Sequence, residues 1–434
     1  MAGLIIIIVF VVLFRARVAT AYYNHSLVSH AALKDQEYLQ IDVEVEDLQT
    51  FLSEEYEQVV ATLDMIDNWA IKNIDDYRSL PPDLKFSNAN AEDLLTAFLE
   101  AIRVNPMAYR DNYLQIVDTD ISSEHWQLTG KDICLADYKY SFPYIRILPG
   151  QRVSALDVVS TASDEPDYGL DMGLWENNGT RAGSRYGFGK QPFANHDDLV
   201  QSQASFHLSF MHDKLLRMMS KPMRGNHSLL RIKTYSELAK LAKRTGHNYW
   251  ACRFSGRAVH YIQDLTVPFH ASMTPGYSFL RVVATMALKV CGYSKPYVRM
   301  FMNIACIHVM FEVMHYEQLN QTYLNRDKSA FIYCSLTGKN SNETVEVNDF
   351  YARDVVSKEA YRLRYRSYYA VNSLVTDTKE FENVLYASAN SIYNCQPIWN
   401  GAKIIDKNEF SRVLNIVVAN SGRHTRNFIN HLLK

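Results

Sequence analysis

The sequence has almost no net charge and lacks the common signatures of covalent and nucleotide-dependent catalysis. Its 45 Lys and Arg residues balance 47 Asp and Glu residues, which leaves a formal charge of −2 over 434 residues. This balance predicts no overall attraction to nucleic acid or to anionic membranes. The chain contains no G-x-S-x-G pattern and no Walker loop. Neither a serine nucleophile nor a nucleotide-binding P-loop is therefore predicted.

Cysteines and long apolar runs are also sparse. The six cysteines are scattered without the C-x2-C spacing of zinc-binding loops, and their even number permits disulfides whose pairing stays open. The apolar run at residues 4–14 is too short to span a bilayer comfortably but typical of a signal-peptide core. An A-x-A cleavage site follows at 19–21. We expect residues 1–21 to be a signal peptide, so that the exported chain begins at Tyr22.

Histidines and carboxylates recur at the spacing of metal ligands in the second half of the chain. His260 and Asp264 are four residues apart, and His308 and Glu312 repeat this spacing. Residues four apart share one face of a helix, so each pair can converge on one ion. A proline between Asp264 and His270 disfavours continued helix there, which lets the chain turn and bring His270 to an adjacent ion.

The neighbours of these pairs favour metal binding over an ordinary surface ion pair. His260 follows Ala258 and Val259, and Glu312 follows Phe311, in largely apolar surroundings. A carboxylate in such surroundings is costly unless it has a partner. Two ligand pairs and a linking histidine therefore predict a cluster of metal ions.

The stretches "RAVHYIQDLTVPFHA" and "IHVMFE" resemble the metal motifs of the bacterial zinc-dependent phospholipase C family, which shares its fold with the S1/P1 nucleases. The likeness is greatest to the longer, broad-range phospholipases C of Gram-negative bacteria and covers most of the chain after the signal. It implies an all-α fold and three zinc ions. By resemblance, His260 and Asp264 hold the first ion, Asp264 bridges to the third, and His270, His308 and Glu312 hold the second. The nucleases carry Asp in place of Glu312, which favours a lipase.

The same resemblance implies an unusual ligand at the start of the exported chain. In the family, the α-amino group and carbonyl of the first residue hold the third ion together with a nearby histidine. Here these residues would be Tyr22 and His25, with His30 as the alternative histidine. Relatives usually begin with Trp, but only backbone atoms of this residue bind the metal.

The first ion requires a further histidine and, by resemblance, an aspartate that serves as ligand or general base. His207 in "QASFHLSF" matches the upstream histidine of the family, and His212 is the alternative. For the aspartate we select Asp167, with Asp164 close behind and Asp171 also available. Proline and glycine predict a loop around these three residues. The pair Asp197 and Asp198 lies nearer to His207 in the sequence.

The apolar spacing predicts a mostly helical chain. Predicted helices cover 45–75, 92–104, 205–219, 234–265, 299–319, 353–373 and 408–433. Irregular segments are predicted near 163–198 and 337–349. We divide the chain into a signal peptide (1–21), a catalytic unit (22–330) and a helical C-terminal extension packed on it (331–434). For the apolar insertion at 271–307 we favour a helix packed on the core over a membrane-contacting lid.

These observations predict an exported, zinc-dependent phospholipase C that acts on phosphatidylcholine and contacts the membrane surface peripherally. Its destination is the periplasm, the medium or a host cell. Two alternatives remain. One is a zinc-dependent single-strand nuclease of the same fold, although nucleic acid is not the expected partner. The other is a non-catalytic protein that binds a membrane or a host partner and uses the zinc cluster structurally, as closed coordination spheres would indicate.

Overall fold

A computed structural model describes residues 24–90, 93–117, 127–135, 142–219, 221–338, 345–375 and 395–434. Most of these residues are helical, which confirms the predicted all-α class. The helices are α1 (His25–Leu33), α2 (Leu48–Glu54), α3 (Tyr56–Asn73), α4 (Leu94–Ala101), α5 (Gly130–Ile133), α6 (Ala155–Ala162), α7 (Arg181–Arg185), α8 (Leu199–Ser202), α9 (Ala204–His207), α10 (Lys214–Met219), α11 (His227–Thr245), α12 (Asn248–Asp264), α13 (Pro268–Ala271), α14 (Phe279–Val290), α15 (Lys295–Leu324), α16 (Phe331–Thr337), α17 (Ser357–Asn372), α18 (Gln396–Gly401) and α19 (Ile404–Leu433).

Two pairs of short strands were not predicted from the helical periodicity. Strand β1 (Asp42–Glu44) pairs antiparallel with β4 (Arg152–Ser154), and β2 (Tyr113–Gln115) pairs antiparallel with β3 (Tyr144–Arg146). Each strand has only three residues, too few for an alternating pattern to be recognised in the sequence. The pairs tie distant loops to the helical body.

Helix α12 lies at the centre of the fold and carries the first predicted ligand pair. All of its residues from Tyr249 to Asp264 are buried. It packs against α6, α11 and α19. The single helix predicted at 234–265 is wrong, because Gly246 adopts φ +92° and ends α11 before α12 begins. Glycine reaches this left-handed conformation without the steric cost of a side chain.

The helix predicted at 205–219 is also interrupted. Helix α9 ends at His207, and the chain reaches α10 through an extended and turning segment. The break leaves His207 at a helix end beside α12. By contrast, the segment around 163–198 is irregular as predicted, with short 3-10 turns at Glu165–Tyr168 and Glu176–Asn178.

The segment after residue 330 packs closely on the earlier helices. Helix α19 contacts α1, α11 and α12, and its residues Phe428 and Ile429 belong to the same hydrophobic core as Trp250 and Val259. Helix α17 contacts α13, which carries His270. The proposed boundary at 330 therefore separates segments that share a core.

Helix α14, within the insertion at 271–307, is packed on the core only in part. It lies against α15, but Val282 is its only buried residue. The next helix, α15, is long and apolar enough to cross a membrane by length and composition, yet 67% of its most apolar window is buried inside the protein. All six cysteines lie in the described residues, and none of them forms a disulfide there.

Candidate metal centre

The cluster is built around the C-terminal end of α12. His260 and Asp264 stand one turn apart there, with Nε2 of His260 3.3 Å from Oδ2 of Asp264. His207, at the end of α9, places its Nδ1 2.8 Å from the same carboxylate oxygen and 2.9 Å from Nε2 of His260. These three residues form one group whose ligand atoms all lie within 4.8 Å of one another.

A second group lies beside the first and shares His260 with it. His25 occupies the first turn of α1, and its Nε2 lies 3.7 Å from Oδ2 of Asp167 and 3.9 Å from Oδ1 of Asp264. Oδ1 of Asp167 lies 3.7 Å from Nε2 of His260 and 3.6 Å from Nδ1 of His207. Residues from four separate segments therefore converge here, as the sequence predicted.

The third group consists of His270 on α13 and the pair His308 and Glu312 on α15. Oε1 of Glu312 lies 2.8 Å from Nε2 of His270 and 2.9 Å from Nε2 of His308. Nδ1 of His270 is 3.0 Å from Oδ1 of Asp264. Asp264 therefore lies within 3.9 Å of histidines from all three groups.

Hydrogen bonds from surrounding residues fix the orientation of the histidine rings. Nδ1 of His260 lies 2.7 Å from the carbonyl oxygen of Ser163. Nδ1 of His25 lies 2.8 Å from Oε1 of Gln263, whose amide nitrogen donates to Ser29 on α1 and Thr425 on α19. Such partners set which ring nitrogen faces a metal. The role of Gln263 was not predicted, although this glutamine directly precedes Asp264 in a largely apolar stretch of the sequence.

The structure distinguishes the three candidate aspartates. Asp171 lies 2.7 Å from the guanidinium of Arg231 and also accepts a hydrogen bond from Tyr261. Asp164 accepts hydrogen bonds from the backbone of Ser26 and from the Tyr168 hydroxyl. Asp167 lies within 3.7 Å of ring nitrogens of His25, His207 and His260, whereas Asp171 approaches His207 alone of these, at 3.6 Å.

The alternative histidines lie in other surroundings. Nδ1 of His30 is 3.1 Å from the Tyr323 hydroxyl. Nε2 of His212 is 2.9 Å from the carbonyl oxygen of Arg353. His25 and His207, rather than these two, belong to the cluster. Tyr22 lies outside the described residues, so its predicted role stays a prediction.

The carboxylates and histidines of the cluster shift one another's pKa values strongly. Burial would raise the pKa of Asp264, but the three neighbouring histidine rings hold that pKa well below its ordinary value. Burial, followed by the charge of Asp264, raises the pKa of Asp167 well above its ordinary value. Burial would lower the pKa of His270, yet Asp264 and Glu312 raise it to about 9. Buried carboxylates and histidines that perturb one another in this way suit a bound cation.

The donor set fits zinc. Within the described residues, Nε2 of His207 and Oδ1 of Asp167 are buried and have no hydrogen-bond partner. Buried polar atoms are costly without a partner. Imidazole nitrogens and carboxylate oxygens are zinc ligands, and the facing nitrogens of His207 and His260 need a proton or a cation between them. The three groups could each hold a metal ion.

A cavity with mainly apolar walls opens onto the cluster. It reaches Asp167, His207 and the third group, and its apolar lining includes Val200, Leu208, Phe210, Phe269, Phe301 and Ile304. None of its lining residues, all of which are described, is Lys or Arg. The cavity can therefore admit a substrate that has an apolar part next to the group that reacts.

A fourth group of possible ligands lies outside this cavity. Nδ1 of His247 is 2.9 Å from both carboxylate oxygens of Glu46, and Glu54 completes the group. Glu54 is exposed and Glu46 is partly exposed. An ordinary ion pair accounts for this contact, which makes it a useful control for the buried cluster.

Comparison with protein-family models, curated proteins and solved structures gave no match to the chain. The motifs and the geometry of the cluster thus carry the functional argument.

Proposed function

We propose that the protein is an exported zinc-dependent phospholipase C, which hydrolyses phosphatidylcholine and other phospholipids to diacylglycerol and a phosphorylated headgroup. The observation that carries the proposal is the convergence of His25, Asp167, His207, His260 and Asp264 beside a separate group of His270, His308 and Glu312. The motif resemblance supports the same reaction. Periplasmic, secreted and host-delivered forms are all compatible with it.

In this proposal, the three groups hold three zinc ions, and Tyr22 completes the site of His25 through its backbone. Bound zinc would lower the pKa of water and neutralise the charge that develops on a phosphodiester. The carboxylates of Asp264 and Glu312 would hold the ions together with the histidines that each of them contacts. Rigid ligands of this kind position a substrate without reorganisation during the reaction.

Asp167 is the residue that we assign as ligand and proton acceptor. It faces the histidines and also lines the cavity, so an entering water molecule can lie within its reach. As the water oxygen bonds to phosphorus, the bond from phosphorus to the glycerol oxygen breaks. The water proton passes through Asp167 to that leaving oxygen, which gives neutral diacylglycerol. Asp164 positions the loop of Asp167 through its hydrogen bond to Ser26.

The cavity lining supports a lipid rather than a nucleic acid substrate. Single-stranded nucleic acid is normally bound in a groove with basic side chains along its backbone. The cavity has none, and its apolar walls suit the glycerol and acyl portions of a phospholipid. The nuclease alternative therefore has less support, although the ligand set alone would serve either phosphodiester.

The test uses purified protein that begins at Tyr22 and is loaded with zinc. Phosphocholine release from phosphatidylcholine is measured beside cleavage of single-stranded DNA, and bound zinc is counted by mass spectrometry. Asp264→Asn should abolish phosphocholine release and reduce the zinc content. The matched control is Glu46→Gln, which removes a carboxylate from the histidine contact outside the cavity and should leave both unchanged.

Each outcome has a clear meaning. Phosphocholine release that is lost in Asp264→Asn supports the phospholipase. DNA cleavage without phosphocholine release replaces it with the nuclease. Three tightly bound zinc ions without either activity would indicate that the cluster is structural. A protein that binds no zinc would contradict all three readings of the cluster.

A further inference from the structure

Helix α14 presents an apolar face to solvent. Leu280, Ala284, Ala287, Leu288 and Cys291 recur at the spacing of one helix face, and all five are exposed. Leu280 is 78% exposed and Leu288 is 44% exposed. A surface helix of a soluble protein normally turns its apolar face to the core and its polar face to water. Helix α14 buries Val282 on one side but also exposes these five residues, and an exposed apolar patch of this kind indicates an interaction site.

The turn after α14 extends this apolar face. Val290 is 65% exposed and Tyr293 is 68% exposed. Gly292, with φ +93°, reverses the chain there and leads into α15. We use the name hairpin surface for seven exposed residues of α14 and this turn. It consists of Leu280, Ala284, Ala287, Leu288, Val290, Cys291 and Tyr293.

The charges around the hairpin surface have one sign. Residues 265–311 contain no Asp or Glu. They do contain Arg281, Lys289, Lys295 and Arg299, and none of these four forms an ion pair with any described residue. Lys289 and Arg281 instead lie over the rings of Tyr297 and Tyr277. The chain as a whole is slightly negative, so this cationic segment is a local feature.

The hairpin surface is connected to the cavity by α15. Thr285 of α14 contacts Met300 of α15, and the next turns of α15 supply Phe301 and Ile304 to the cavity wall. His308 follows Lys295 by thirteen residues, which is about 20 Å along a helix. A membrane bound at the turn would therefore lie about 20 Å along α15 from His308.

We propose that the hairpin surface docks the protein on lipid bilayers that contain anionic headgroups. The apolar side chains enter the interface, and the unpaired cations attract the anionic lipids. This combination distinguishes a lipid surface from a second copy of the chain, whose identical cations would repel each other across a symmetric contact. The inference goes beyond the proposed reaction, since docking requires no hydrolysis.

Binding to sedimenting vesicles tests the inference. Vesicles of phosphatidylcholine with and without 30% phosphatidylglycerol are mixed with the Asp264→Asn protein, and wild-type protein in EDTA serves as a second form without hydrolysis. Because each cation contributes severalfold near an anionic surface, Lys295→Gln with Arg299→Gln should weaken binding to anionic vesicles about 20-fold. Raising the salt concentration should also weaken the binding of the unsubstituted protein to anionic vesicles.

The contribution of the apolar side chains to vesicle binding is tested by serine substitutions with a matched control. Leu280→Ser with Leu288→Ser should weaken vesicle binding at least about tenfold, because the apolar area that enters the interface is lost. Ile404→Ser with Ile405→Ser changes two apolar side chains at the start of α19, which are 75% and 73% exposed. This pair should have little effect on vesicle binding. Thermal unfolding checks that each variant is folded.

Three results would overturn the inference: no binding of the unsubstituted forms to anionic vesicles, equal losses in the two serine pairs, or a dimer that Leu280→Ser with Leu288→Ser converts to a monomer. The last result would assign the surface to a second copy. Failure of phosphocholine release would leave vesicle binding unaffected, so the two proposals fail separately.

Discussion

Gly256 marks the closest approach between the helix that carries the ligands and its neighbour α6. A Cβ atom at this position would lie 2.4 Å from the carbonyl oxygen of Val159 and 2.6 Å from Cβ of Ala162. Both distances are far below van der Waals contact, and the first involves backbone that cannot rotate away. We therefore expect Gly256→Ala to force α12 and α6 apart by about 1 Å.

The expected loss of stability follows from two opposing effects. In a free helix, Ala is more stable than Gly by about 1 kcal/mol. Overpacking of a tight core typically costs about 1–3 kcal/mol, and contact with backbone places this site at the upper end. The net result should be a loss of about 1–2 kcal/mol in the free energy of unfolding.

The same substitution should disturb the metal centre without touching a ligand. Gly256 lies one turn before His260, whose Nδ1 contacts the carbonyl oxygen of Ser163 at 2.7 Å. A separation of about 1 Å would break this hydrogen bond and release the ring, and loss of such an outer partner typically weakens metal binding about 10- to 100-fold. Competition with a chelator measures the zinc affinity, and urea unfolding measures the stability.

A second substitution provides the control. Ala162→Gly removes one of the two atoms that would clash, so the double variant should recover part of the lost stability and zinc affinity. If Gly256→Ala instead stabilises the protein by about 1 kcal/mol, as in an unobstructed helix, the result would contradict the close contact between α12 and α6 at this residue.

Three further predictions follow from buried groups and from the chain start. Burial and the nearby arginines lower the pKa of His227 to about 3. The folded state therefore favours the neutral ring, so the stability that depends on this ring is complete above about pH 6.5 and is lost as the pH falls. Between pH 7 and pH 5, wild-type protein should therefore lose about 2 kcal/mol more than His227→Phe in urea unfolding. Arg231→Met leaves the buried charge of Asp171 without its 2.7 Å partner and should cost about 3–5 kcal/mol, whereas an unchanged midpoint would refute this pairing. One extra residue before Tyr22 should reduce the bound zinc from three ions to two by mass spectrometry, and full occupancy would contradict the role of its α-amino group.

The sequence could predict the ligands that obey helical spacing. His260 with Asp264 and His308 with Glu312 are each set by one turn of a helix, and that geometry does not depend on the rest of the fold. The apolar residues around them indicated burial correctly. His25 and His207 required the family resemblance, because nothing local shows that α1 and α9 lie beside α12.

Other features depended on contacts between distant segments. The choice among Asp164, Asp167 and Asp171 is decided by Arg231 and by the backbone of Ser26, which are far away in the sequence. Local periodicity also could not show that Gly246 ends a helix rather than lying within one. Helix α14 packs on the core through Val282 and Met286, but a rule based on burial does not show that its remaining apolar residues are exposed.

The hydrogen bonds of Gln263 also constrain when the metal centre can form during synthesis. This one side chain joins Ser29, near the first described residues, to Thr425, and it also contacts His25. The N-terminal part of a chain emerges from the ribosome first and can begin to fold early. Here, however, the hydrogen bonds that position His25 through Gln263 are complete only after α19 has been made and docked. In the exported protein that we propose, complete zinc loading should therefore follow the docking of α19.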